Sequence, residues 1–257
     1  MLGRRTALQL MIAAAAAGFT PARAEDETAI PAGDDPVQIR AVLELFTSQG
    51  CSSCPPADKL LQTFAADPTI IALSMPVDYW DYLGWKDTLA SPRNSDRQRS
   101  YAKARGDGAI YTPQIVVNGL VHVNGARKSE IDAAIEQTVN DAKHMHVPVR
   151  IWQERNTLNI MTGAAEPGKP VREATVWLGV VQSAGQVEIK RGENAGERIT
   201  YTNIVRELTP IGLWKGQPQR IQIPRGAVML PETQKTVVLI QEGRAGPILG
   251  AAWTGLY

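Results

Sequence analysis

Two kinds of hydrophobic spacing divide the chain. From residue 39 to 143, β-prone apolar runs alternate with stretches of helical period. Ile39 to Phe46 is apolar and broken only by Arg40 and Glu44, which predicts a buried strand. Pro55 to Ala66 places Leu60, Leu61 and Phe64 on one helical face, and Pro55-Pro56 suits a first turn whose missing N–H groups need no partner. Ile70 to Val77 reads as a second strand. Ser91-Pro92 opens a polar helix to about Arg105, ended by Gly106 to Gly108. Asn118-Gly119 stands between two β-branched runs within Pro113 to Val123, a hairpin signal because both residues tolerate positive φ. Ser129 is the expected cap of a last helix, with Ile131, Ala134, Ile135 and Val139 as its apolar stripe. The order β-α-β-α-β-β-α predicts an α/β domain with a small mixed sheet covered by helices, over residues 37–146.

From Val147 onward the spacing changes. Short β-prone runs (149–152, 158–161, 174–181, 186–190, 200–207, 219–223 and 236–241) are separated by Gly, Pro and Asn, with no amphipathic helix among them. This predicts an antiparallel, all-β, sandwich-like domain over residues 147–257. Arg191 to Arg198 reads as a polar, solvated hairpin tip.

The amino terminus has a different character again. Arg4-Arg5 precedes an apolar stretch from Ala7 to Phe19, and Ala22-Arg23-Ala24 supplies the small residues of a cleavage site. Residues 1–24 therefore read as an export signal, by the general or the twin-arginine route, and residues 25–36 as a loose acidic arm. The protein is expected in the periplasm or secreted, without stable membrane insertion once the signal is gone. Cleavage removes Arg4, Arg5 and Arg23, so 27 basic residues become 24 against 26 acidic ones, a formal charge of −2. Neither this balance nor the uncut charge of +1 supports binding driven by phosphate neutralisation, so no nucleic-acid partner is expected. At 44% hydrophobic and 21% charged, the composition excludes collagen, coiled coil and full disorder.

The chemistry is concentrated in Gly50-Cys51-Ser52-Ser53-Cys54-Pro55-Pro56, which holds the only two cysteines. Two intervening residues let the sulfurs meet at the start of a helix. Free N–H groups and the positive dipole end there favour a thiolate. Cys51, at the more open end, is the expected attacking thiol, Cys54 the resolving one, and Ser52 and Ser53 offer hydroxyl donors. Three readings stand: thiol–disulfide exchange, a static disulfide in a non-enzymatic partner-binding module, and Cu(I) handling by both thiols. Zinc lacks ligands, since His122, His144 and His146 are distant in sequence, and no metal or organic cofactor is expected.

Thr112-Pro113 opens the hairpin strand. Together with the element order and the cysteine pair, it resembles the thioredoxin-like superfamily. That resemblance implies a cis Thr112–Pro113 bond facing the cysteines, with the Thr112 backbone pairing a protein substrate or receiving a small thiol or disulfide. Leu43 to Asp58, Val77 to Trp85 and Gln241 to Gly250 resemble, more narrowly, a family of exported bacterial proteins of unknown function with such a core. Ser-Ser between the cysteines departs from better-known members, which leaves the direction of electron flow open. Glu44 is the nearest acid to thioredoxin's buried strand aspartate, one residue out of register, and is a candidate proton acceptor. Tyr79, Trp80, Tyr82 and Trp85 cluster after the second strand. Trp80, Tyr82 and Trp85 are expected either as a substrate-binding rim or as a local mini-core, with Asp78, Asp81 and Asp87 available to cap the loop.

Overall fold

A computed structural model describes residues 37–141, 145–168, 172–228 and 230–255. The expected signal (1–24), the arm (25–36) and His144 lie outside the described residues. The first segment follows the predicted order: β1 (Ala41–Thr47), α1 (Pro55–Ala65), β2 (Ile70–Pro76), α2 (Pro92–Arg105), β3 (Gln114–Val117), β4 (Val121–Asn124) and α3 (Lys128–Val139). Then come strands only: β5 (Val149–Glu154), β6 (Thr157–Thr162), β7 (Ala174–Glu188), β8 (Arg198–Trp214), β9 (Gln219–Pro224), β10 (Lys235–Glu242) and β11 (Ile248–Gly255), with a short 3₁₀ turn at Arg225–Ala227. No described helix is long and apolar enough to cross a membrane.

Local chemistry explains the boundaries. Cys54 is the N-cap of α1, and Pro55-Pro56 fill its first turn. The Ser91 hydroxyl accepts from the Arg93 N–H at the start of α2, and Gly106 ends that helix at φ 79°. Asn118 and Gly119 take φ 52° and 69°, as the hairpin turn requires. Asn118 does more than turn: its side chain accepts from Val42 N–H (2.7 Å) and donates to Thr138 Oγ1 (2.8 Å), tying the hairpin to β1 and α3. Ser129 does not cap α3. The helix starts two residues earlier, with Arg127 at the N-cap and no side-chain cap, so Ser129 lies inside the first turn.

The architecture is a mixed α/β fold with one large mixed sheet and one small antiparallel sheet. The large sheet has the order β11-β10-β7-β8-β2-β1-β3-β4, and the small one β5-β6-β9. The carboxy-terminal strands thus do not close on themselves, because four of them continue the first segment's sheet through a parallel contact of β8 with β2 at Ser74 and Ile204. The sandwich expectation survives only in the small sheet, whose Ile151, Leu158 and Ile160 pack on Val176, Leu178 and Val238 of the large one. The runs 174–181 and 186–190 merge into one 15-residue strand that ends at Glu188.

The large sheet curls. Val42, Phe46 and Val116 share a core with Trp177, Val237 and Ile248, and Ile248 N–H bonds Asn118 O at 2.9 Å. Alternation on β1 then sorts its side chains. Val42, Glu44 and Phe46 face the inside of the curl, whereas Leu43 and Leu45 face α1 and α3 with Leu61, Phe64 and Ile131.

Candidate functional site

Cys51 and Cys54 form a disulfide with Cα atoms 5.4 Å apart, at the carboxy-terminal end of β1 and the start of α1. Backbone bonds shape the loop: Cys51 N–H to Ser48 O, Cys54 N–H to Cys51 O, and Ala57 and Asp58 N–H to Cys54 O. The Ser53 hydroxyl lies 3.4 Å from Cys51 Sγ, whereas Ser52 makes no such contact. Cys51 is the more accessible cysteine, but only 3% of it is exposed and none of Cys54 is. Ser52 and Ser53 are exposed beside them.

Short contacts close a ring around this bridge. A β-carbon on Gly50 would stand 3.0 Å from Trp80 Cβ, so the indole residue sits against the chain just before Cys51. Trp80 Nε1 donates to Thr112 Oγ1 at 2.8 Å. The Thr112–Pro113 bond is cis, as expected. A β-carbon on Gly125 would lie 3.3 Å from Pro113 Cβ and 3.2 Å from Ala57 Cβ, which places Pro113 near the first turn of α1. The aromatic loop divides its labour. Trp80 and Tyr82 stack at 6.4 Å, and Tyr82 is 77% exposed. Trp85 instead donates to Gln49 Oε1 and packs with Ile189, Ile199 and Tyr201. The three aspartates bond locally: Asp78 accepts from Ser95, Asp81 from Asp87 N–H, and Asp87 from the N–H groups of Gln49, Leu89 and Ala90.

The β7–β8 connection lies over the same loop. Asn194 is buried and donates to Gln49 O (2.9 Å) and Cys51 O (3.0 Å). Residues 191–198 are therefore not simply a solvated tip. The charged positions face water, but Asn194 points inward as a tether.

Glu44 is not beside the cysteines. It is fully buried on the inner face of β1, held by Arg97 Nε (2.5 Å) and Nη2 (3.1 Å) and by the Tyr101 hydroxyl. Its position one residue out of register turns it away from α1. Attraction to Glu44 holds the Arg97 guanidinium firmly charged despite burial, and burial raises the Tyr101 phenol above its ordinary range.

The acid on the cysteine side is Asp58. It follows Cys54 by one helical turn, is 2% exposed, and neither carboxyl oxygen makes a well-formed hydrogen bond, the Thr47 hydroxyl being a weak polar neighbour. Burial raises its pKa well above the ordinary 3.8; the Thr47 hydroxyl opposes this in part, and the Asp87 charge adds to it. Burial likewise raises Asp87. Tyr201 completes the cluster, its phenol buried without a partner and raised by burial and by both aspartates. Among the described residues, no group of three His, Cys, Asp or Glu side chains is placed to hold a metal ion.

A sequence profile described as "Protein of unknown function (DUF1223)" matches residues 42–241, which include every residue of this ring. The chain belongs to that family. An X-ray structure of an Agrobacterium tumefaciens protein is 32% identical, with a TM-score of 0.74 over 84% of this chain and 94% of that one. HBP35 of Porphyromonas gingivalis shares the fold at 11% identity, with a TM-score of 0.58 over 86% of this chain and 76% of that one. No curated protein matches. In this DUF1223 chain, sequence reasoning found both cysteines, Thr112-Pro113 and Trp80, and passed over Asp58 and Asn194. Asp58 carried a readable signal, since it stands three residues before Leu61 on the apolar stripe of α1. Asn194 carried none, because its burial depends on a partner 143 residues away.

Proposed function

We propose that the protein is an exported thiol–disulfide oxidoreductase, with a thioredoxin-like domain over residues 37–146 and a β-rich domain over residues 147–257. Asp58 carries this reading. A buried carboxyl with so little compensation destabilises a fold, and such groups concentrate where protons are moved. A bridge across so few residues also removes little entropy from the unfolded chain, so stapling alone explains it poorly. A formed disulfide fits an oxidising compartment.

In the reaction, a substrate thiolate attacks Cys51 Sγ, the Cys51–Cys54 bond breaks, and Cys54 Sγ leaves with the electron pair. Protonated Asp58 supplies the proton that neutralises Cys54. A second substrate thiolate then attacks the substrate sulfur of the mixed disulfide and releases Cys51. Two substrate thiols become one disulfide, and the protein's disulfide becomes two thiols. The reverse sequence reduces a substrate disulfide, and no organic cofactor enters. Trp80, Tyr82, Thr112 and Pro113 form the rim on which a protein or small-thiol substrate rests. Trp85 serves the contact with the β7–β8 connection.

A second reading, a structural bridge in a partner-binding module, draws on the burial of both cysteines. Cys54→Ser separates the two. Exchange requires Cys51 in this variant to react with an aromatic disulfide reagent in the folded state, at least as fast as free cysteine, and to form a mixed disulfide with a dithiol peptide. Labelling only on unfolding would establish the structural bridge.

A further inference from the structure

A second site lies away from the disulfide, at the mouth of the curled sheet. A cavity of about 370 Å³ opens between α2, the β7–β8 pair and the β10–β11 turn, a size within the range of small-ligand sites. Met75, Trp177 and Leu208 give it an apolar floor. Three arginines stand in its wall, of which Arg93 is paired with Glu207 at 3.3 Å. Arg97 is 7% exposed, bonded along one edge to Glu44 and lying 5.4 Å from the Trp177 ring. Its Nη1 has no acceptor among the described residues. Arg244 is exposed and likewise has no acceptor among them. The rim acids are already answered, Asp96 by Arg99 and Glu207 by Arg93.

We propose that this cavity binds a small carboxylic acid with an apolar body, of aryl or branched-alkyl type. The carboxylate is received between Arg244 and Arg97 Nη1, and the apolar part lies on Met75, Trp177 and Leu208. Arginine presents paired donors that match a carboxylate, and the Glu44 contact fixes the Arg97 fork in orientation before any ligand arrives. Arg97 lines the cavity while its charge is balanced by Glu44, so the excess positive charge belongs to Arg244. That residue lies in the Gln241–Gly250 stretch, whose role the disulfide chemistry leaves unexplained. This site does not depend on the redox reading.

Phenylacetate, phenylacetamide and inorganic phosphate, titrated calorimetrically into the folded protein and its Arg244→Gln variant, test the proposal. Arg244 is exposed, so its replacement leaves the fold intact. Phenylacetate should saturate one site at millimolar concentration or below, and Arg244→Gln should weaken it roughly ten- to a hundredfold, the loss expected for a charge-assisted hydrogen bond. Neither the neutral amide nor phosphate should bind comparably. Three results overturn the proposal: no saturable phenylacetate binding, equal binding of acid and amide, or an affinity unmoved by Arg244→Gln.

Discussion

Asn194 donates from one nitrogen to the backbone oxygens of Gln49 and Cys51, at 2.9 and 3.0 Å. A residue of the β7–β8 connection thereby holds the loop that carries the first cysteine. Residues remote in sequence thus meet at the loop that carries the disulfide.

Asn194→Ala removes the tether and leaves the Gln49 carbonyl without its donor, at a desolvation penalty of about 1–3 kcal/mol, while the Cys51 carbonyl keeps only the Cys54 N–H. The midpoint of thermal unfolding should fall by several degrees. The disulfide should also be reduced faster by dithiothreitol, measured under conditions where the variant stays fully folded. An unchanged reduction rate would mean that the tether does not govern access.

Asp58 makes the pH dependence of stability readable. Its pKa is raised in the folded state, so between about pH 4, the unfolded value, and the folded value the native protein binds the extra proton. Stability contributed by this group is therefore full below that window and falls as pH rises through it. Asp87 acts in the same direction, by burial. Asp58→Asn should remove part of that slope, leave Asp87's share, and raise stability at neutral pH relative to the parent, by about 2–4 °C for each kcal/mol regained. The same variant should slow disulfide reduction, with the largest loss at low pH. Equal pH profiles for parent and variant would remove Asp58 from the mechanism.

Glu44 and Arg97 predict the opposite pattern. Glu44→Gln breaks a buried ion pair and should lower stability by about 3–5 kcal/mol. It should leave exchange at Cys51–Cys54 unchanged, since Glu44 faces the inside of the curl and α1 packs outside it. Denaturant unfolding together with stopped-flow reduction tests both halves. A loss of exchange rate in the folded variant would restore Glu44 as a proton acceptor.

Trp80→Phe deletes the donor to Thr112 Oγ1 and keeps an aromatic side chain whose Cβ lies against Gly50. Its stability should drop by only about 0.5–1.5 kcal/mol. If Trp80 is part of the rim, KM for a dithiol peptide should rise several-fold while the rate with a small monothiol holds. Unaltered peptide kinetics with lowered stability would return the aromatic loop to a packing role.

The first segment was legible because its elements are local. Helical spacing, Pro55-Pro56, Ser91 and Asn118-Gly119 each mark a boundary through nearby atoms, and every predicted element of that segment formed. The second segment shows strands equally well but not their partners. Nothing near Ile204 states that it will pair beside Ser74, so the shared sheet was invisible and two separate domains were expected. The site divides the same way. The cysteine pair stands in a short motif, the cis Thr112–Pro113 bond is what the family resemblance implies, and Asp58 was within reach of the α1 stripe. Asn194 and the cavity wall at Arg244 arise only when distant strands are brought together.

The most direct test of the central claim is the reduction potential of Cys51–Cys54, measured in defined redox buffers with free thiols trapped at each point. The account predicts a value between about −270 and −120 mV, reached by rapid exchange in the folded state. A value below about −300 mV, approached only slowly, would mark a structural bridge and contradict the account.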